Sequence, residues 1–280
     1  LLYRNAIVDQ YLPSFGCKFR GLVYQQLSKY SWVASMQIRK RGCMSCSSIE
    51  IRPVGGPLGA EISGVNLSTR LTNRMFDEIY QAFLHHKVIF FRDQELTPKQ
   101  QLAFGRLFGD PNIYPFVEGL SETPEIFEVL KTENDQRNFG GVWHSDSTYL
   151  EEPPIATILY AHEVPDSGGD TLFANTCLAY ETLSCGLKKT LSTLNGVNSA
   201  ALNYGGGRAK LLKQNTKMKS QNLKIANQLQ AIHPVVKTIP ETGHKALFIN
   251  GSHTIRFEGW TERESKPLIK FLADHSVRPE

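Results

Sequence analysis

Short apolar runs closed by Gly and Pro turns govern what this 280-residue chain can become. Ile126 to Leu130, Ile155 to Tyr160, Thr171 to Phe173, Val235 to Thr238 and Ala246 to Asn250 are too brief for core helices and read as strands. Many short strands with few helices between them predict a β-sandwich or barrel decorated by helices, not a βαβ repeat. The expected fold class is mainly β with flanking helices.

Upstream, Ile51 to Ile62 with its three glycines reads as short strands and turns. Thr72 is placed to cap a helix whose apolar face is Met75, Phe76, Ile79 and Phe83. Lys87 to Arg92 reads as a buried strand. Thr97-Pro98 then starts a helix that carries Leu102, Phe104, Leu107 and Phe108 and stops at Gly109. A single helix is expected over Cys177 to Leu194, its stripe of Leu183, Leu187, Leu191 and Leu194 explained by core packing. Gly205 to Gln230, Lys-rich and weakly periodic, is expected to be a solvated connection.

Charge separates the first 48 residues from the rest. They hold seven of the 31 basic residues and one of the 27 acidic ones, Asp9, so they carry +6. The remainder has 24 basic against 26 acidic residues, a net of −2, which gives no reason to expect a nucleic-acid partner. A basic, acid-poor stretch opening on Leu1 is expected to be either an organelle transit peptide or, as favoured here, a non-native extension; either way residues 1–48 are left out of the expected fold. No apolar run approaches membrane-spanning length. Five cysteines without a disulfide framework suggest a reducing, cytoplasmic setting, with Cys43 and Cys46 an incidental pair.

The chemistry concentrates in Gly140-Gly141-Val142-Trp143-His144-Ser145-Asp146. In an extended segment residues two apart share a face, so the His144 imidazole and the Asp146 carboxylate can converge on one metal ion. By itself such a pair is equally a structural contact. The block continues through Pro153-Pro154, Glu163-Val164-Pro165, Gly168-Gly169-Asp170-Thr171-Leu172-Phe173 and Ala179-Tyr180-Glu181. With Gly59-Ala60-Glu61-Ile62 and Phe90-Phe91-Arg92-Asp93-Gln94 upstream, and His233-Pro234-Val235-Val236 and Ala246 to Asn250 downstream, it closely resembles the taurine dioxygenase (TauD/TfdA) family of oxygenases.

The resemblance covers residues 49–280 and implies a double-stranded β-helix, or jelly-roll, that binds Fe(II) through two His and one carboxylate. Such a facial triad leaves positions open for 2-oxoglutarate and dioxygen. It implies His144 and Asp146 as metal ligands and Thr171 as a residue that holds a 2-oxoglutarate carboxylate. The implied partners are a small organic acid substrate and dioxygen, with no nucleic acid or membrane, and a homo-oligomer is compatible with it. The family's second His and an Arg for 2-oxoglutarate belong to a late strand whose motif is not found, so the jelly-roll is expected to be incomplete at its carboxyl end. His233, His244, His253 and His275 remain as substitutes for the third ligand. A chain of this kind is expected to bind Fe(II) weakly, and a non-catalytic truncated homologue is the rival reading. A zinc hydrolase lacks a third ligand and a general-base motif.

Taurine dioxygenases place a His, a Tyr and an Asn where this chain has Tyr114, Val117 and Gly140. A compact zwitterion would lose polar partners there. The expected substrate is therefore an organic acid with an apolar body, an aryloxy or alkyl acid or an alkyl sulfate. Tyr114, Val117, Gly140 and His253 are the candidate substrate-binding residues, with Phe116 and Phe139 as either apolar wall or core.

Overall fold

A computed structural model describes residues 2–3, 6–11, 19–27, 48–131, 139–165, 168–205 and 219–278. In chain order its strands are β1 (Leu2–Tyr3), β2 (Ala6–Tyr11), β3 (Phe19–Leu27), β4 (Glu50–Pro53), β5 (Ala60–Ser63), β6 (Val88–Phe91), β7 (Pro111–Asn112) and β8 (Ile126–Lys131). They continue as β9 (Ala156–Ala161), β10 (Asp170–Asn175), β11 (Asn195–Ser199), β12 (Gln230–Pro234), β13 (Val236–Thr238), β14 (Lys245–Leu247) and β15 (Thr254–Phe257). The helices are α1 (Asn73–His86), α2 (Pro98–Gly105), α3 (Thr176–Glu181), α4 (Cys185–Leu191), α5 (Ala201–Tyr204) and α6 (Glu262–Ser276).

The largest sheet runs β4-β5-β6-β1-β9-β3-β7, with β8 also paired to β3. Smaller sheets join β2 to β10, β11 to both β12 and β15, and β13 to β14. This is the mainly β architecture with flanking helices that the strand pattern predicts.

Three groups of buried side chains hold these layers. Ile79 and Phe83 of α1, with Phe104 and Phe108, pack on Ile89 of β6 and Ile158 of β9. Phe127 of β8, Leu159 of β9, Tyr114, Phe116 and Tyr149 form a second core closed by Ala200 and Ala226. Ile269 and Leu272 of α6 pack with Leu183, Leu191 and Phe257 in a third. The expected caps are in place. Thr72 accepts a hydrogen bond from the Met75 amide, and Thr97 with Gln100 forms a reciprocal box ahead of Pro98.

Several expectations need correction. Helix α2 ends at Gly105, and Leu107 is 46% exposed instead of lying on the apolar face. Gly105 sits so close to strand β3 that a Cβ there would run into the Gln25 side-chain amide. The single helix over 177–194 is two, because Ser184 accepts from the Leu187 amide and starts α4 afresh. The connection over 205–230 is not simply solvated. Ser220 bridges to Val117, Gln221 bonds the Val117 carbonyl, and Ala226 is fully buried, while residues 206–218 lie outside the described set.

The larger difference is at the amino end. The expected fold excludes residues 1–48, yet β1, β2 and β3 come from that segment. Strand β3 pairs with both β8 and β9. Basic composition argues about solvation and partners; it says little about whether Phe19-Arg-Gly-Leu-Val-Tyr-Gln-Gln-Leu27 can extend and pair. The Cys43 and Cys46 pair lies outside the described residues.

Candidate metal centre and its aromatic wall

The glycine pair ahead of His144 sets the geometry. Gly140 adopts a φ of 74°, a left-handed conformation that glycine takes without a Cβ penalty, and the Val142 amide turns back onto its carbonyl at 2.8 Å. Val142 then presents its own carbonyl to His144 Nδ1 at 2.7 Å. A carbonyl can only accept, so Nδ1 carries the proton and donates, and Nε2 faces Asp146.

His144 Nε2 lies 3.4 Å from Asp146 Oδ1, and both side chains are largely buried. Asp146 Oδ2 accepts a hydrogen bond from Thr157 Oγ1 on β9 at 2.7 Å. A nitrogen lone pair and a carboxylate oxygen held that close repel each other unless a proton or a metal cation sits between them. One imidazole with its tautomer fixed by a carbonyl, beside one carboxylate anchored by a hydroxyl, fits two ligand positions of an Fe(II) site.

Among the described residues no group of three or more His, Cys, Asp or Glu is placed to hold a metal ion. The four histidines considered as third ligands have other roles. His233 Nε2 meets the Leu150 carbonyl at 2.9 Å, and His275 Nε2 meets the Ala179 carbonyl at 2.8 Å. His244 lies in an exposed turn between β13 and β14. His253 is buried edge-on against Tyr149, with Asn203 Nδ2 at 3.2 Å from its Nδ1.

The other residues picked out in sequence fall around this pair. Asn250 Oδ1 accepts from the Ser252 and His253 amides, and Ser252 Oγ donates to the Trp143 carbonyl at 2.9 Å. The His253 turn is thereby tied to the residue before His144. Tyr114 stacks on Phe127 with ring centres 4.9 Å apart, and its hydroxyl meets that of Tyr204. Val117 and Phe116 are buried in the same core, whereas Phe139 is half-buried at its margin against Phe127. Phe116 is thus core, and Phe139 keeps an exposed edge. Thr171 lies half-buried on β10; Phe173, two residues on and so on the same face, packs against the aromatic core that contains Tyr149.

Sequence reasoning passed over Thr157, Ser147, Tyr149 and the Asn203-Tyr204 pair. Thr157 had a readable signal, being the one hydroxyl inside the apolar run Ile155 to Leu159. Tyr149 is fully enclosed, and burial first, then the neighbouring Tyr204, push its hydroxyl well above the ordinary tyrosine range, so it stays protonated.

The profile of the family described as Taurine catabolism dioxygenase TauD, TfdA family matches residues 50–280. The chain belongs to the TauD/TfdA family. It is 36% identical over 237 residues to an alkylsulfatase of Acinetobacter baylyi, covering 83% of this chain and 72% of that protein. An alpha-ketoglutarate-dependent sulfate ester dioxygenase of Pseudomonas putida is 32% identical over 237 residues, covering 83% and 76%. Among solved structures, a taurine dioxygenase from Burkholderia xenovorans superposes with a TM-score of 0.65 at 30% identity, covering 83% of this chain and 74% of that one. The TauD/TfdA fold is the mainly β jelly-roll, as the sequence resemblance implied, and the family's relatives are 2-oxoglutarate-dependent dioxygenases that use Fe(II).

Proposed function

We propose that this TauD/TfdA member oxidises a small organic anion with an apolar body, a sulfate ester foremost, and that His144 and Asp146 are its metal ligands with Thr171 on the 2-oxoglutarate side. The observation that supports the substrate reading is the apolar character of the core reached from the stretch that leads to His144, where Phe139 packs on Phe127 and keeps an exposed edge. Tyr114, Phe127, Phe139, Tyr149 and Tyr204 form one connected set of rings, and Val117 and Gly140 add no polar side-chain atom to it. With Phe139 as the exposed edge of that core, the surroundings favour an alkyl or aryl body and offer a compact zwitterion few partners. The sulfate-ester activities named for two of its relatives point the same way.

Fe(II) held by the pair would supply oxidative decarboxylation of 2-oxoglutarate to succinate and CO2, coupled to oxygen insertion into a substrate C–H bond. The chain's own residues orient and insulate. Val142 fixes the His144 tautomer, Thr157 holds one Asp146 oxygen so that the other faces His144, and the rings keep water from the substrate body. In this reading His253 and Asn203, bonded to each other beside Tyr149, supply the polar groups for a substrate head group. The proposed setting is cytoplasmic, with no nucleic-acid or membrane partner; among the described residues no helix is long and apolar enough to cross a membrane.

A second reading, a non-catalytic homologue, is favoured by the lack of a third ligand among the described residues. Substrate-dependent succinate formation, measured across alkyl sulfates, aryloxyalkanoates and taurine, separates the alternatives. The expected order places alkyl sulfates or aryloxy acids above taurine. Taurine as the best substrate would overturn the reading of the wall, and no succinate with any of them would favour the non-catalytic homologue.

A further inference from the structure

The residue after Asp146 is held as firmly as Asp146 itself, and from a strand outside the family match. Ser147 has a φ of 48°, a left-handed conformation that a residue bearing a Cβ keeps only where its surroundings impose it. Its Oγ donates to Gln26 Oε1 on β3 at 2.9 Å. Ser147 is 3% and Gln26 2% exposed, so water does not compete for this bond.

Register explains how two strands reach adjacent residues of one turn. Gln26 lies directly opposite Thr157 in the antiparallel pairing of β3 with β9. Residues opposite each other in such a pair project from the same face. Thr157 grips the Asp146 carboxylate, and Gln26 beside it grips the Ser147 hydroxyl.

We propose that Gln26 is a positioning residue for the metal centre: together with Thr157 it clamps the Asp146-Ser147 turn, so that the amino-terminal strand β3 sets where the Asp146 carboxylate points. Gln26 touches neither metal nor substrate and acts through Ser147. Without its acceptor the Ser147 hydroxyl turns to Tyr149 Oη, 3.3 Å away, or leaves the turn, and the carboxylate one residue earlier pivots about its bond to Thr157. Partners behind a metal ligand typically change metal affinity by about 10–100-fold when removed.

This inference rests on His144 and Asp146 being a metal pair, and the test keeps the two apart. Mn(II) serves as an air-stable probe, titrated calorimetrically into the full chain, with thermal midpoints recorded in parallel. Ser147→Ala and Gln26→Leu are each expected to weaken Mn(II) binding about 10-fold or more, with the double variant no weaker than the weaker single one. Ser265→Ala, which removes a buried hydroxyl bonded to the Phe257 amide far along the chain, should lower the midpoint and leave Mn(II) affinity unchanged. A folded Ser147→Ala variant that binds Mn(II) like the unmodified chain overturns the clamp, whatever Gln26→Leu does, and so does additive loss in the double variant. No Mn(II) binding by the unmodified chain overturns the metal pair itself, and the clamp with it.

Discussion

At the residue scale, His233 shows how a histidine set aside as a ligand still makes the fold sensitive to pH. It packs edge-on against Phe248 and donates to the Leu150 carbonyl, just beyond the Asp146 turn. Burial first, then the Lys237 charge, hold its pKa below the ordinary 6.5, against weaker opposing bonds to the Leu150 and Thr148 carbonyls. A depressed histidine pKa means that the unfolded chain binds the proton more readily than the folded one. Its stabilising contribution is therefore present above about pH 6.5, begins to be lost as the pH falls below that value and is gone once the pH has passed the lower folded-state pKa. His233→Gln keeps a donor for the carbonyl and removes the titration. Thermal midpoints taken from pH 7.5 to 5.5 should fall less steeply for the variant, and identical slopes would show that His233 is not a source of the acid sensitivity.

At the element scale, strand β3 is well paired in backbone and poorly matched in side chains. Gln25 is completely buried between β8 and β9, against Gly105, and among the described residues neither Gln25 Nε2 nor Gln25 Oε1 has a hydrogen-bond partner. A buried polar atom without a partner costs about 1–3 kcal/mol. Gln25→Leu removes two such atoms while keeping a similar volume, so the variant should be more stable by about 1–3 kcal/mol in urea denaturation. A less stable Gln25→Leu chain would mean that the amide is satisfied in solution. Gln26, its neighbour, has one atom committed to Ser147 and one, Nε2, without a partner among the described residues, so the same strand carries the proposed clamp and an energetic liability side by side.

At the scale of the whole molecule, the strands that carry the candidate site were largely legible in the sequence and their amino-terminal partner was not. Val88–Phe91, Ile126–Lys131 and Ala156–Ala161 are strands because β-branched and aromatic residues cluster there between turn formers. His144 and Asp146 share a face at two-residue spacing, as read in the sequence, although the chain passes into a turn at Asp146. Asn195–Ser199 escaped notice since Asn-Gly-Val-Asn-Ser carries a turn signature, and only its two neighbours, β12 and β15, make it a strand. Phe19–Leu27 lies in a stretch whose basic composition speaks of solvation, whereas its pairing with β8 and β9 is set by residues far along the chain. Taking away residues 1–27 would uncover the edges of β8 and β9 together, and bare edges seek other strands. The shortened chain should aggregate or lose its near-ultraviolet circular dichroism; a monomer that still melts cooperatively at the same temperature would show the segment to be dispensable.

All three scales meet at the pair whose tautomer Val142 sets, whose carboxylate Thr157 holds and whose following residue β3 grips. The most direct measurement is an anomalous-scattering map from crystals of the chain grown with Mn(II). The expected result is a peak at ligand distance from both His144 Nε2 and an Asp146 carboxylate oxygen, absent in Asp146→Ala crystals. A Mn(II) peak bound elsewhere, or one that survives Asp146→Ala, would contradict the assignment.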